Sequence, residues 1–96
     1  MYAVIFKAKI RQLDDDYFEL AVRMQDLALK KYGCTEFLSV SEKGTEIAIS
    51  YWPSLAQIEV WRQDVEHLIA QSLGRNKWYE SFEVQTLEII RTTGAL

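Results

Sequence analysis

The stretch "WRQDVEHLIAQSLGRNKWYESF", residues 61–82, holds the side chains best equipped for chemistry. His67 is the only histidine, and Trp61 and Trp78 are two of the three tryptophans. Gln71, Gly74, Arg75 and Tyr79 share the segment. An imidazole is the one side chain whose ordinary pKa lies near neutrality, which makes His67 the candidate catalytic residue, as a proton shuttle. Large rings with one polar edge can hold a ligand in a fixed orientation, which makes Trp61, Trp78 and Tyr79 candidate pocket residues, with Trp52 and Met24 from earlier in the chain. Each has a plainer alternative: packing for the rings, and a solvent-facing or dimer-edge position for His67. Adjacent helical residues diverge, so Glu66 and His67 are not an activated pair by sequence alone. Cys34, alone in the chain, makes no internal disulfide and is expected as a small buried strand residue. One His and one Cys leave no ligand spacing for a metal, and no phosphate-binding glycine loop or nucleophile elbow occurs.

A helical wheel places these groups. With about 100° per residue and Ile58 at zero, Val65, Ile69 and Ser72 fall beside Ile58, with Trp61 and Leu68 on one flank. These residues are expected to face a core. Asp64, His67 and Gln71 form a polar line on the other side, with His67 about 180° from Ile58.

The elements that must carry the segment are legible. "YAVIFKAKI", residues 2–10, alternates as a strand and is apolar on both faces at its start. Asp16 and Glu19 have capping-box spacing, with Asp14 and Asp15 as alternative caps. Tyr17, Leu20, Ala21, Met24, Leu27 and Ala28 then repeat at three and four, the pattern of an amphipathic helix that Gly33 would end. "TEFLSVSEKGTEIAISYW" reads as two strands joined at Lys43–Gly44. Pro53 closes the second, and Ser54 with Gln57 opens a helix from about Leu55 to Leu73, stopped by Gly74. "RNKWYES" is expected as a loop and "FEVQTLEIIR" as the last strand.

The order β-α-β-β-α-β specifies an α+β, ferredoxin-like fold: a four-stranded antiparallel sheet with two helices on one face. Residues 1–96 fit one domain. Both strand parities are apolar, as in Val4 with Ile5, Phe37 with Leu38, Ala48 with Ile49 and Ile89 with Ile90. A sheet apolar on both faces needs a cover on the side without helices, and a hydrophobic fraction of 49% exceeds the needs of one small core. A homodimer packed sheet against sheet, a dimeric α+β barrel, is the expected assembly. A net charge of −3 without a basic stripe argues against nucleic acid and against an electrostatic membrane dock. No apolar run approaches the length of a transmembrane helix, and no signal-peptide pattern opens the chain, so a cytoplasmic location is expected.

Three segments, "YAVIF", "ISYWPSLAQIEVW" and "EHLIAQSLGRNKWYESFEVQTLEIIR", resemble the antibiotic biosynthesis monooxygenase-like domain of the dimeric α+β barrel superfamily. The resemblance covers nearly the whole chain. It implies a homodimer with one pocket per subunit, between helices and sheet, for an apolar aromatic small molecule. It also implies, for some relatives, oxidation of aromatic polyketides or quinols by O2 with no metal or flavin, through a substrate carbanion. Haem-degrading relatives use an Asn on the first strand, a Trp on the second helix and a His further along. Trp61 matches that Trp, but the first strand has no Asn, and the matching His position falls near Ala70–Gln71, out of step with His67. Haem degradation is therefore disfavoured. The leading expectation is a cofactor-independent monooxygenase acting on an aromatic or quinol-type substrate; the alternative is a non-catalytic binding or structural dimer.

Overall fold

A computed structural model of the chain describes residues 1–94, the side chains of Val65 and Glu66 excepted. Strand β1 spans Tyr2–Ile10, helix α1 Asp15–Lys30, β2 Glu36–Glu42 and β3 Thr45–Trp52. Two short helices follow, α2 over Leu55–Arg62 and α3 over Val65–Leu73, then a π-helical turn over Gly74–Trp78 and strand β4 over Tyr79–Glu88. The sheet order is β2-β3-β1-β4, antiparallel throughout. This is the expected ferredoxin-like arrangement.

Local chemistry explains the boundaries. Asp14, one of the alternatives for the first cap, is the residue that accepts from the Tyr17 N–H at 2.9 Å. Two more carboxylates, Asp15 and Asp16, complement the helix dipole in the first turn. Gly33 turns the chain with φ +85°, and a side chain there would collide with the Gln57 amide. Lys43 and Gly44 both adopt positive φ in the β2–β3 hairpin, as a two-residue turn with the sheet's twist requires. Ser54 accepts from the Gln57 N–H and donates to its Oε1, closing the second capping box.

The second helical segment departs from expectation. One helix over 55–73 would need unbroken backbone bonding through Gln63 and Asp64. Instead Gln63 relaxes to φ −89°, ψ −4°, and the Asp64 N–H returns to the Trp61 carbonyl at 3.1 Å. The Asp64 carbonyl accepts the Leu68 N–H at 3.0 Å and starts α3 afresh. The Tyr32 hydroxyl, just past α1, donates to Asp64 Oδ2 at 2.5 Å and pins the break. The single-wheel assignment fails from this point on. Leu68 and Ile69, expected against the core, are about half exposed. The Val65 side chain lies outside the described residues. The α-helix ends at Leu73, as expected, but Gly74 opens a π turn instead of taking up a left-handed stop, and Trp78 and Tyr79 are not in a polar loop. The π turn carries the chain directly into β4, with the Tyr79 N–H donating to the Gly74 carbonyl. Strand β4 accordingly begins at Tyr79 rather than Phe82 and ends at Glu88, before Ile90.

The core lies between the helices and the sheet face that carries Val4, Phe6 and Ala8 on β1 and Glu46, Ala48, Ser50 and Trp52 on β3. It has two buried clusters. One joins Val4, Met24, Ala28, Cys34, Trp52, Ile58 and Trp61; the other joins Ala8, Tyr17, Trp78 and Tyr79. Ala70 of α3 packs against both. The opposite sheet face carries Ile5, Ile47, Ile49 and Tyr51, partly buried by their neighbours, with Leu38, Val40 and Leu87 exposed.

Candidate functional site

A cavity of about 240 Å³ lies where the two clusters meet, walled by the inner face of the sheet, by α1, and by α2 with α3. Its length follows from strand geometry. Ser50 and Glu46 both line it, four residues apart on the same face of β3, which is roughly 13 Å at the rise of an extended strand. Met24, Trp61, His67, Trp78 and Tyr79 contribute to its wall. Trp52 does not: it is fully buried one layer back, its ring 5.1 Å from that of Trp61. Trp52 is inward because it shares the parity of Ser50, and its indole N–H donates to the Ser50 hydroxyl at 2.8 Å.

Trp61 anchors the Ser50 end. Its ring packs against Trp52 and stands edge-on to Phe37 at 6.3 Å, and its indole N–H donates to the Met24 carbonyl at 3.3 Å. His67 meets Trp61 edge to face, with ring centroids 4.3 Å apart. The solvent-facing position expected for His67 on a continuous helix is thereby corrected. The break at Gln63–Asp64 restarts the helical phase, and the imidazole turns inward. Its Nδ1 is buried and has no hydrogen-bond partner among the described residues. Burial first, and the nearby Arg62 guanidinium second, lower its pKa to about 4 against an opposing pull from Asp64. The imidazole is therefore neutral at physiological pH, and the residue lines the cavity. Arg62 and Gln71 also reach the wall. The Glu66 side chain, the other member of the Glu66–His67 pair, lies outside the described residues.

The other end of the cavity is built by Trp78, Tyr79 and a residue that sequence reasoning missed. The Trp78 indole N–H donates to Asp14 Oδ1 at 3.1 Å, and Lys77 pairs with Asp14 Oδ2. This ties the π turn to the start of α1 and holds the Asp14 carboxyl below its ordinary range, through Lys77 first. Gly74 permits the close approach of the Tyr79 ring: a Cβ there would lie 3.1 Å from it. The Tyr79 hydroxyl donates to Glu46 Oε2 at 2.6 Å. Glu46 is only 4% exposed. Burial raises its carboxyl pKa, the Tyr79 hydroxyl partly opposing, and Tyr79 is itself pushed up by burial and then by Glu46. The signal for Glu46 was present in the strand alternation: it has the same parity as Ser50 and Trp52, so a carboxyl had to point inward.

Among the described residues no three His, Cys, Asp or Glu side chains gather as metal ligands, and no helix is long and apolar enough to cross a membrane. Cys34 is buried, and its thiol, raised by burial, donates to the Glu36 carbonyl at 3.1 Å.

Comparison with known proteins places this geometry. No protein-family model matches the chain. The uncharacterised protein YqjZ of Bacillus subtilis (strain 168) is 41% identical over 91 residues, covering 94% of this chain and 80% of YqjZ. Among solved structures, an antibiotic biosynthesis monooxygenase superposes with a TM-score of 0.78 at 15% identity, over 95% of this chain and all of that one. SnoaB, a cofactor-independent oxygenase from Streptomyces nogalater, gives 0.78 at 10% identity, over 95% of this chain and 94% of SnoaB. The chain has the fold of the antibiotic biosynthesis monooxygenase-like domain, and it belongs to the family of YqjZ.

Proposed function

We propose that the protein is a cofactor-independent monooxygenase for a small aromatic substrate with an acidic C–H or phenolic O–H. The supporting observation is the cavity itself, apolar and aromatic, with the neutral imidazole of His67 on its wall and Nδ1 unpartnered among the described residues. In this reading Trp61, Met24, Trp78 and Tyr79 hold the ring system and His67 takes the proton. The proton leaves a substrate CH2 group for the imidazole, and the resulting carbanion gives its electrons to O2, forming a C–O bond. The imidazolium returns its proton to the peroxide; the second C–H proton then leaves, its bonding electrons form the carbonyl as the O–O bond breaks, and the departing hydroxide takes up that proton as water. One O2 is consumed per CH2 oxidised, with no external reductant. A water-poor cavity strengthens the attraction between imidazolium and substrate anion, which offsets the low basicity of a buried imidazole.

The same low basicity favours a second reading, a binding protein in which His67 only accepts a hydrogen bond. Oxygen uptake with a panel of anthrone-like phenols and quinols separates the two. Turnover that falls about 10²–10⁴-fold in His67→Ala supports catalysis. Saturable binding of the panel without oxygen uptake removes it.

The assembly belongs to this reading too. We place a second copy of the chain over the outer sheet face, where Leu38, Val40 and Leu87 are exposed. Monomers rarely leave such a patch in water. Residues 1–96 act as one domain in a cytoplasmic setting, in keeping with the free thiol of Cys34.

A further inference from the structure

The cavity has a second polar end, which the proton-transfer scheme leaves unused. We propose that Glu46 and Tyr79 form an oxygen-binding site there, which holds a carbonyl or enolate oxygen of the ligand by donating a hydrogen bond to it. The inference rests on the proposed pocket function for its location, and on the Glu46–Tyr79 geometry for its chemistry.

Glu46 lies inside the sheet–helix layer, 4% exposed, and among the described residues it forms no ion pair. A buried, unpaired carboxylate is costly, and burial favours the neutral acid. Among the described residues, the group bonded to it is the Tyr79 hydroxyl, at 2.6 Å. Proton counting then decides what the pair can do. In the neutral form that burial without a counter-ion favours, the carboxyl and the phenol carry two O–H protons between them. The bond that joins them uses one. The second is left for another acceptor, whichever of the two oxygens carries it. Both residues have atoms on the cavity wall, so an oxygen entering from the cavity can receive that proton as a hydrogen bond. A neutral acid held this way donates to an oxygen on which negative charge develops, a recognised form of oxyanion stabilisation.

Position fixes the ligand's shape. Ser50, at the Trp61 and His67 end, lies roughly 13 Å along β3 from Glu46. A cavity of about 240 Å³ is below the range of about 300–1,000 Å³ that holds drug-sized molecules. The fit is a bicyclic ketone, phenol or quinol, with its oxygen at Glu46 and its rings extending toward Trp61. The role is positioning and charge stabilisation, distinct from the proton transfer assigned to His67.

The test uses two probes of similar shape, 1-tetralone and tetralin, which differ in the carbonyl. Binding is read from tryptophan fluorescence on the full chain. The wild type is expected to prefer the ketone by about tenfold or more, the worth of one hydrogen bond in a dry site. Glu46→Leu combined with Tyr79→Phe, which removes both O–H groups, should abolish that preference while tetralin still binds, and Glu46→Gln, which keeps an N–H donor, should retain part of it. A wild type without the preference, or a Glu46→Leu/Tyr79→Phe variant that keeps it, overturns the proposal. Should the double variant not fold, the infrared carbonyl stretch of wild-type-bound 1-tetralone decides alone. A shift below its value in hexane supports the donor, and an unshifted band refutes it. None of these readouts needs turnover. A protein that prefers the ketone yet consumes no oxygen would lose the monooxygenase reading and keep this site.

Discussion

His67 offers the sharpest test, because one histidine gives one imidazole resonance. Its pKa is lowered from 6.5 to about 4, by burial first and by Arg62 second. The unfolded chain therefore binds a proton near pH 6.5 that the folded chain accepts only near pH 4. Between these values the unfolded state holds more protons, so stability rises with pH across the window and is lost as the solution is acidified through it. Each pH unit of difference is worth 1.36 kcal/mol, so the cost accumulated from pH 7 to pH 4 is about 3 kcal/mol. The assay is a heteronuclear NMR titration of the Cε1–H signal on tag-free protein, paired with urea unfolding at both pH values. Carboxylates titrate in the same range, so His67→Gln serves as the reference. The variant should lose about 3 kcal/mol less than the wild type on acidification. A titration midpoint at or above 6.5, or identical acid sensitivity in the two proteins, would place the imidazole in water and refute its assignment to the cavity wall.

The remaining expectations concern packing and assembly. Trp61→Ala should destabilise the fold by about 3–5 kcal/mol in urea unfolding, since the ring is buried against Trp52 and Phe37, and it should weaken binding of any aromatic probe; an unchanged melting temperature would put the ring on the surface. Light scattering at micromolar concentration should return twice the 11.2 kDa chain mass, and Val40→Glu with Leu38→Glu should reduce it to one chain; a wild-type monomer would refute the covered outer face. Gly33→Ala should cost about 1–3 kcal/mol, because φ is +85° and the new Cβ meets Gln57; a neutral effect would show that the turn relaxes freely.

The parts of the fold that were legible in the sequence are those governed by local rules. Alternation identified β1 and β3, Asp14 and Ser54 offered caps, and Gly33 and Gly44 marked turns that need positive φ. The cavity was less legible, because its walls depend on helical phase. A wheel is valid only while the helix is unbroken, and a two-residue interruption rotates everything beyond it. Asp64 is a favoured cap residue, and its place in the middle of the segment was the available signal. Its force comes from Tyr32, distant in sequence, whose hydroxyl bonds the Asp64 carboxylate. That contact is tertiary, and no local pattern contains it. Its consequence is chemical: the same interruption that exposes Leu68 and Ile69 turns His67 onto Trp61. The π turn acts likewise at the other end, where Gly74 makes room for the Tyr79 ring and the hydroxyl reaches Glu46. Two departures from regular helix, one on each side of α3, thus deliver the two polar groups to opposite ends of one apolar cavity. A regular helix over the same residues would have kept its stability rules and left the imidazole outside.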